Sequence, residues 1–392
     1  MKKTVCSFLC SFVFWNVLAL STDSIISKFD VNVRAGYAFN SNGELMRRMF
    51  ERGDITPDIT HSALSFHLRY ELEGLGNEST RSVYQGIGVG ATTFSAPERV
   101  GTPFSFYVLQ GAPIVVLSNQ VSLNYEWNFG VAPGWHKTSS GSDVSSNLVV
   151  GSSTNAYLNL GFKAVWRISP GWDVNGGLDL SHFSNGNTSW PNPGVNTVGA
   201  SVGLTYTPGN KKSTLRSPFR QADDFNQRMV YDVMAYGAWR KTYFPYERAG
   251  FDAVGEAYLL PGHFGVAGLN FSPMWWFHPT FRTGLSADFQ WSGCNALIQE
   301  DYDWRKPEVW KQLTLGLSAR AELVMPIFTL NVGLGYGLVG SWETRLLYQT
   351  VNLKTYVYEG AYINVGYRMN KFRSPSNLML GVGYTIGHTK NK

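Results

Sequence analysis

Along most of the chain apolar and polar residues alternate one for one, the pattern of a strand with one face in an apolar medium and the other in a polar one. The clearest case sets Val121, Leu123, Tyr125, Trp127, Phe129 and Val131 against Ser122, Asn124, Glu126, Asn128 and Gly130. The same split separates Leu64, Phe66, Leu68, Tyr70 and Leu72 from Ser65, His67, Arg69, Glu71 and Glu73, and Leu313, Leu315, Leu317 and Leu323 from Thr314, Ser318, Arg320 and Glu322. These runs are about 10 to 13 residues long, the length of a tilted strand that crosses a membrane, whereas strands of soluble sandwiches run to about 5 or 6. About sixteen such strands are predicted, near 29–40, 62–73, 84–94, 103–110, 119–132, 155–168, 171–184, 196–207, 227–242, 263–273, 279–291, 311–325, 327–339, 347–356, 360–369 and 377–388. The long connections 41–61, 133–154, 185–195, 243–262 and 292–310 then share one side, and the tight turns Ser169-Pro170 and Met325-Pro326 the other. That asymmetry, long loops outside and short turns inside, is the one bacterial barrels show. The expected fold is all-β, a transmembrane antiparallel β-barrel of about sixteen strands, with two eight-stranded barrels as the alternative. A polar, basic stretch at 209–226 divides the chain into a portion 22–208 and a portion 227–392, and is expected on the periplasmic side.

Composition removes other classes. Only 16% of the 392 residues are charged while 15% are aromatic, and beyond the first residues no run reaches the roughly 20 apolar residues of a spanning helix. Met1-Lys2-Lys3, the apolar stretch Val5 to Leu18 and the small residues around Ser21 read as an export signal over 1–21. Cys6 and Cys10 leave with it, so Cys294 is the one mature cysteine expected and no intrachain disulfide can form. Export without disulfides suits a bacterial outer membrane. The formal charge of +5 falls to +3 once Lys2 and Lys3 are removed, and the charges are scattered, which argues against a nucleic-acid partner. The histidines form no metal-ligand cluster, and Gly-rich stretches such as Gly86 to Gly90 lie in strands with no helix to bind phosphate, so neither metal nor cofactor is expected.

One pair of strands carries chemistry. From Trp172 the lipid-facing parity runs through Val174, Leu178 and Leu180 and then reaches His182 and Ser184; on the next strand it runs from Asn196 through Val198, Val202 and Leu204. Three polar residues therefore end two greasy stripes at the outer rim. His-x-Ser sets imidazole and hydroxyl on one side of a strand, about 7 Å apart at Cα, within reach of a hydrogen bond by which histidine activates serine. The alternative is that the three merely mark where the strands leave hydrocarbon for headgroups. The second half offers a comparison: 284–291 can be laid on 177–184, and there Phe289 and Trp291, ordinary interfacial aromatics, replace His182 and Ser184.

His182-Phe183-Ser184-Asn185-Gly186, followed by Pro191-Asn192-Pro193-Gly194 and an alternating strand, resembles the signature of the outer-membrane lipid A 3-O-deacylases of the PagL type and the wider acyloxyacyl hydrolase group, over about residues 23–208. The resemblance implies an eight-stranded barrel whose last hairpin carries the site, lipid A of lipopolysaccharide as substrate, Ser184 as nucleophile, His182 as general base and Asn185 in the oxyanion hole. The acid that this family carries twelve residues after the serine corresponds to Asn196, which can orient a histidine but cannot stabilise its cation by charge. Asp143, the only acid in loop 134–154, is the candidate replacement. The expected function is removal of an acyl chain from lipid A by serine attack; the rival is a passive porin or transport barrel, for which a sixteen-stranded ring with Arg69, Arg320 and Glu322 inside would suffice.

Overall fold

A computed structural model of the protein describes residues 25–40, 62–137, 150–189, 192, 194–210, 215–219, 228–245, 257–300, 303–341, 344–372 and 374–387. The expected export signal at 1–21 and Asp143 lie outside them. The strands are, in chain order, β1 (Ile26–Asn40), β2 (Ser62–Glu73), β3 (Tyr84–Phe94), β4 (Phe104–Val116), β5 (Val121–Pro133), β6 (Thr154–Ser169), β7 (Trp172–Ser184), β8 (Val195–Tyr206), β9 (Met229–Arg240), β10 (Tyr243–Pro245), β11 (Ala257–Leu259), β12 (Phe264–His278), β13 (Phe281–Ser292), β14 (Ile298–Glu300), β15 (Asp303–Arg305), β16 (Leu313–Val324), β17 (Phe328–Val339), β18 (Leu347–Tyr358), β19 (Ala361–Asn370) and β20 (Ser374–Ile386). Every long run of alternation becomes a strand, and the described residues contain no helix long and apolar enough to span a membrane. Strand β12 runs on past the predicted end at 273, because Pro273 is accommodated opposite Tyr231 of β9. The pairs β10–β11 and β14–β15 form two small antiparallel sheets apart from the barrels.

The strands do not close as one ring. They form two closed antiparallel barrels of eight, β1 to β8 and then β9, β12, β13 and β16 to β20, so the alternative closure is the one observed. The seam of the first barrel pairs β1 with β8 from Phe29–Tyr206 to Asn40–Val195, and that of the second pairs β9 with β20. The physical reason lies inside. An eight-stranded barrel has an interior that side chains alone can fill, and these side chains are long enough to fill it. In the first barrel Arg69 donates to Asp30 at 2.7 Å and also meets Glu126, which in turn receives Lys163 and the Tyr84 hydroxyl. In the second, Glu322 receives Arg282, Lys354 and Asn331, while Asp288 receives Arg320 and the Tyr348 hydroxyl. A ring of sixteen would leave these groups around a water-filled lumen; two rings of eight pair them. Packed interiors of this kind also remove the basis of the porin reading.

The predicted outward stripes face out: Leu64, Phe66 and Leu68 are about half exposed, as are Leu313 and Leu317. The central part of one stripe differs. Tyr125 and Trp127 have outward parity yet are buried, because Phe219 of the interbarrel connection lies on Tyr125 and Phe328 of the second barrel lies on Trp127. The two barrels touch along their flanks. Met325, Phe328 and Leu353 of the second pack with Val83, Ala112, Tyr125 and Trp127 of the first.

Candidate active site

The end of β7 is held by its one inward residue. Phe183 is 1% exposed and sits inside the barrel against Trp135, Tyr157 and Phe94, with ring centroids 5.2, 5.1 and 6.3 Å away. With Phe183 locked inward, strand alternation forces His182 and Ser184, on either side of it, to the outer face. Register does the rest. His182 is the direct partner of Asn196 on β8, and their side chains meet, His182 Nδ1 lying 2.7 Å from Asn196 Oδ1.

That contact determines the tautomer. An amide oxygen only accepts, so Nδ1 carries the proton and Nε2 is left with its lone pair. The amide is oriented in turn by its own nitrogen, which donates to the Phe39 carbonyl of β1 at 3.5 Å. Three neighbouring strands thus present the histidine as a neutral base. Among the described hydrogen bonds none joins His182 to Ser184; the two share a face two residues apart, with Ser184 7% exposed rather than bare to lipid.

After Ser184 the chain makes a tight turn, with positive φ at Gly186 (63°) and Asn187 (66°). Asn185, 6% exposed, is pinned by its backbone: its N–H donates to Asn192 Oδ1 at 3.0 Å and its carbonyl accepts from the Thr188 hydroxyl at 2.8 Å. Its side-chain oxygen accepts from the Ser189 N–H at 3.3 Å, while its side-chain nitrogen is buried with no hydrogen-bond partner. A buried donor left without a partner is costly unless something else fills it. The holding role of Asn192 cannot be read from the motif in which it stands, because it follows from a turn conformation that spacing does not display.

Of the predicted residues, the structure brings His182 and Asn196 into contact; Ser184 follows His182 by two residues on the same face of β7, Asn185 begins the turn after it, and Asp143 lies outside the described residues. Phe289 and Trp291 do lie on β13, yet β13 is the third strand of its barrel whereas β7 is the seventh of its own. The topological counterpart of the β7–β8 hairpin is β19–β20, and β19 contains neither histidine nor serine. Among the described residues no group of histidine, cysteine and acidic side chains is arranged to hold a metal ion.

Comparison with known proteins gives two family models. Lipid A 3-O-deacylase (PagL) matches residues 109–205, and the acyloxyacyl hydrolase C-terminal domain, PagL_C, matches residues 229–389. No curated protein sequence matches. Among solved structures, the outer membrane enzyme PagL is similar at 20% identity and a TM-score of 0.30, covering 44% of this chain and 97% of its own. Neisserial surface protein A is similar at 11% identity and a TM-score of 0.32, covering 48% of this chain and 99% of its own. An outer membrane channel from Pseudomonas putida F1 is similar at 10% identity and a TM-score of 0.20, covering 94% of this chain and 99% of its own. The first family model takes in the whole His182 to Asn196 hairpin and the second takes in the second barrel, the two together spanning about two thirds of the chain. The chain belongs to the lipid A 3-O-deacylase (PagL) family, outer-membrane β-barrel hydrolases that remove an acyl chain from lipid A.

Proposed function

We propose that this protein hydrolyses an ester-linked acyl chain of lipid A from within the outer leaflet, with Ser184 as nucleophile and His182 as general base. The observation that carries the reading is the His182–Asn196 contact, which leaves a basic Nε2 on the outer face shared with Ser184. Ser184 Oγ attacks the ester carbonyl carbon as its proton passes to Nε2, and the carbonyl oxygen takes up the negative charge of the tetrahedral intermediate. The unpartnered side-chain nitrogen of Asn185 supplies a donor for that oxygen. Collapse expels the sugar alkoxide, which recovers the proton from His182, and leaves an acyl-serine. Water, deprotonated by the same nitrogen, then releases the fatty acid. Asn196 orients the histidine throughout but brings no charge to the transient imidazolium, in contrast to an acid at that position.

Mass spectrometry of lipid A from cells expressing the wild type or Ser184→Ala tests this directly. Loss of one acyl chain with the wild type alone is the expected result, and the 3-O position named by the family description is the first to examine. A serine variant that still deacylates, or a wild type that leaves every lipid A intact, would refute it.

A further inference from the structure

We infer that the second barrel is a positioning element for the nucleophile's turn, acting through Leu378, Ser376 and Lys241; this rests on the proposed function of Ser184. The turn 185–189 is not held by the first barrel alone. A Cβ on Gly186 would fall 2.6 Å from Cδ2 of Leu378, so the backbone of the turn lies directly on an outward side chain of β20. The Lys241 backbone N–H, at the outer end of β9, donates to the Asn187 carbonyl at 2.8 Å. The Asn187 side-chain nitrogen reaches the Ser376 carbonyl of β20 at 3.5 Å.

These contacts continue inward to the site. Asn187 Oδ1 accepts from Asn192 Nδ2 at 3.5 Å, and Asn192 Oδ1 accepts from the Asn185 N–H at 3.0 Å. The path from the second barrel therefore ends at the residue after Ser184, the one with the unpartnered donor. Asn187 sits at a φ of 66°, a conformation that costs a non-glycine residue energy and persists where surroundings impose it. Contacts from β9 and β20 are what impose it here.

The docking of the barrels is built in at the other end of the molecule. Gln85, at the inner end of β3, and its partner Gln110, within β4, have outward parity beside apolar residues, and an amide facing an apolar medium without partners is strongly unfavourable. Both are buried: Gln85 Nε2 donates to Gln110 Oε1 at 2.7 Å, Gln110 Nε2 donates to the Tyr125 hydroxyl at 3.3 Å, and the Ile327 N–H of the second barrel donates to Gln85 Oε1 at 3.1 Å. The first barrel thus carries a polar patch that requires a protein cover, and the second barrel supplies it. With one contact at the inner end and one at the turn, the position of the second barrel determines the geometry after Ser184.

The test uses the full-length protein in lipid A-containing vesicles, with two readouts: turnover of lipid A and the rate at which a fluorophosphonate labels Ser184. Leu378→Ala and Asn187→Gly, the latter keeping the left-handed backbone while removing both side-chain bonds, should each lower kcat and labelling about tenfold to a hundredfold, with KM changed by less than about twofold. Leu378→Met should restore most of the rate. Unchanged electrophoretic resistance to unfolding identifies folded variants. Variants that match the wild type in both readouts, or an effect confined to KM, would overturn the inference while leaving the esterase intact. A wild type that is neither labelled nor active overturns the esterase reading, and this inference with it.

Discussion

His182 Nδ1 donates to Asn196 Oδ1 across 2.7 Å between residues that are direct partners in the β7–β8 register. Asn196 does half of what an acid would do there. It selects the tautomer, but it offers the imidazolium only a dipole. Asn196→Asp keeps the acceptor and adds the charge, so turnover of lipid A should be kept or raised. Asn196→Ala removes the tautomer anchor and should lower turnover by about two to four orders of magnitude. Steady-state release of fatty acid measures both, and an alanine variant at full rate would remove Asn196 from the site.

Asn185 makes a separable prediction. Its side-chain oxygen is occupied by the Ser189 N–H while its nitrogen is empty, so only the nitrogen is available to a developing oxyanion. Asn185→Ala should lower kcat by about 10²- to 10³-fold with little change in KM, the pattern of an interaction made in the transition state alone. Equal losses in binding and turnover of substrate would assign Asn185 to holding the turn instead.

The split between what alternation reveals and what it hides is visible at Trp127. Period two separates the inside of a barrel from the outside, and it places Trp127 and Tyr125 outside, where they are. It does not distinguish lipid from a second barrel, and both residues lie under protein. A legible sign was present in Gln85 and Gln110, polar residues at apolar parity. The His182–Asn196 contact was legible because both sit at the outer ends of adjacent strands, where parity and register together force them to meet. The closure was not: alternation is the same for sixteen strands in one ring or in two, and only the bulk of Arg69, Tyr84, Glu126 and their counterparts decides. Nor was Leu378 against Gly186. No periodicity links residues so far apart on different barrels.

The interior ion clusters predict where stability resides. Glu126 is the common partner of Arg69, Lys163 and the Tyr84 hydroxyl, and Glu322 of Arg282, Lys354 and Asn331. Glu126→Ala or Glu322→Ala leaves two buried cations without their shared acceptor and should cost about 3–5 kcal/mol. Urea unfolding of the protein in lipid vesicles measures this, and a loss below about 1 kcal/mol would show that water enters the barrels and screens the charges.

The pair at the centre of the proposed mechanism makes the sharpest kinetic prediction. Nucleophile and base act as one unit, so Ser184→Ala and His182→Ala should each lower fatty acid release by several orders of magnitude, and the double variant should be scarcely worse than either. Additive losses would mean that the two residues act independently, against a proton passing from one to the other. Folding should be nearly untouched. The Ser184 side chain makes no described hydrogen bond, and that of His182 has one, to Asn196, so each change should cost about 1 kcal/mol or less. Phe289→Ala is the control: Phe289 is an outward residue of the second barrel, 52% exposed on β13, whereas the described contacts of that barrel with the turn after Ser184 come from Lys241, Ser376 and Leu378, and its loss should leave hydrolysis unchanged. Inactive Ser184→Ala and His182→Ala proteins that insert and resist unfolding like the wild type, beside an active Phe289→Ala protein, assign the loss to chemistry at the β7 rim rather than to a damaged barrel.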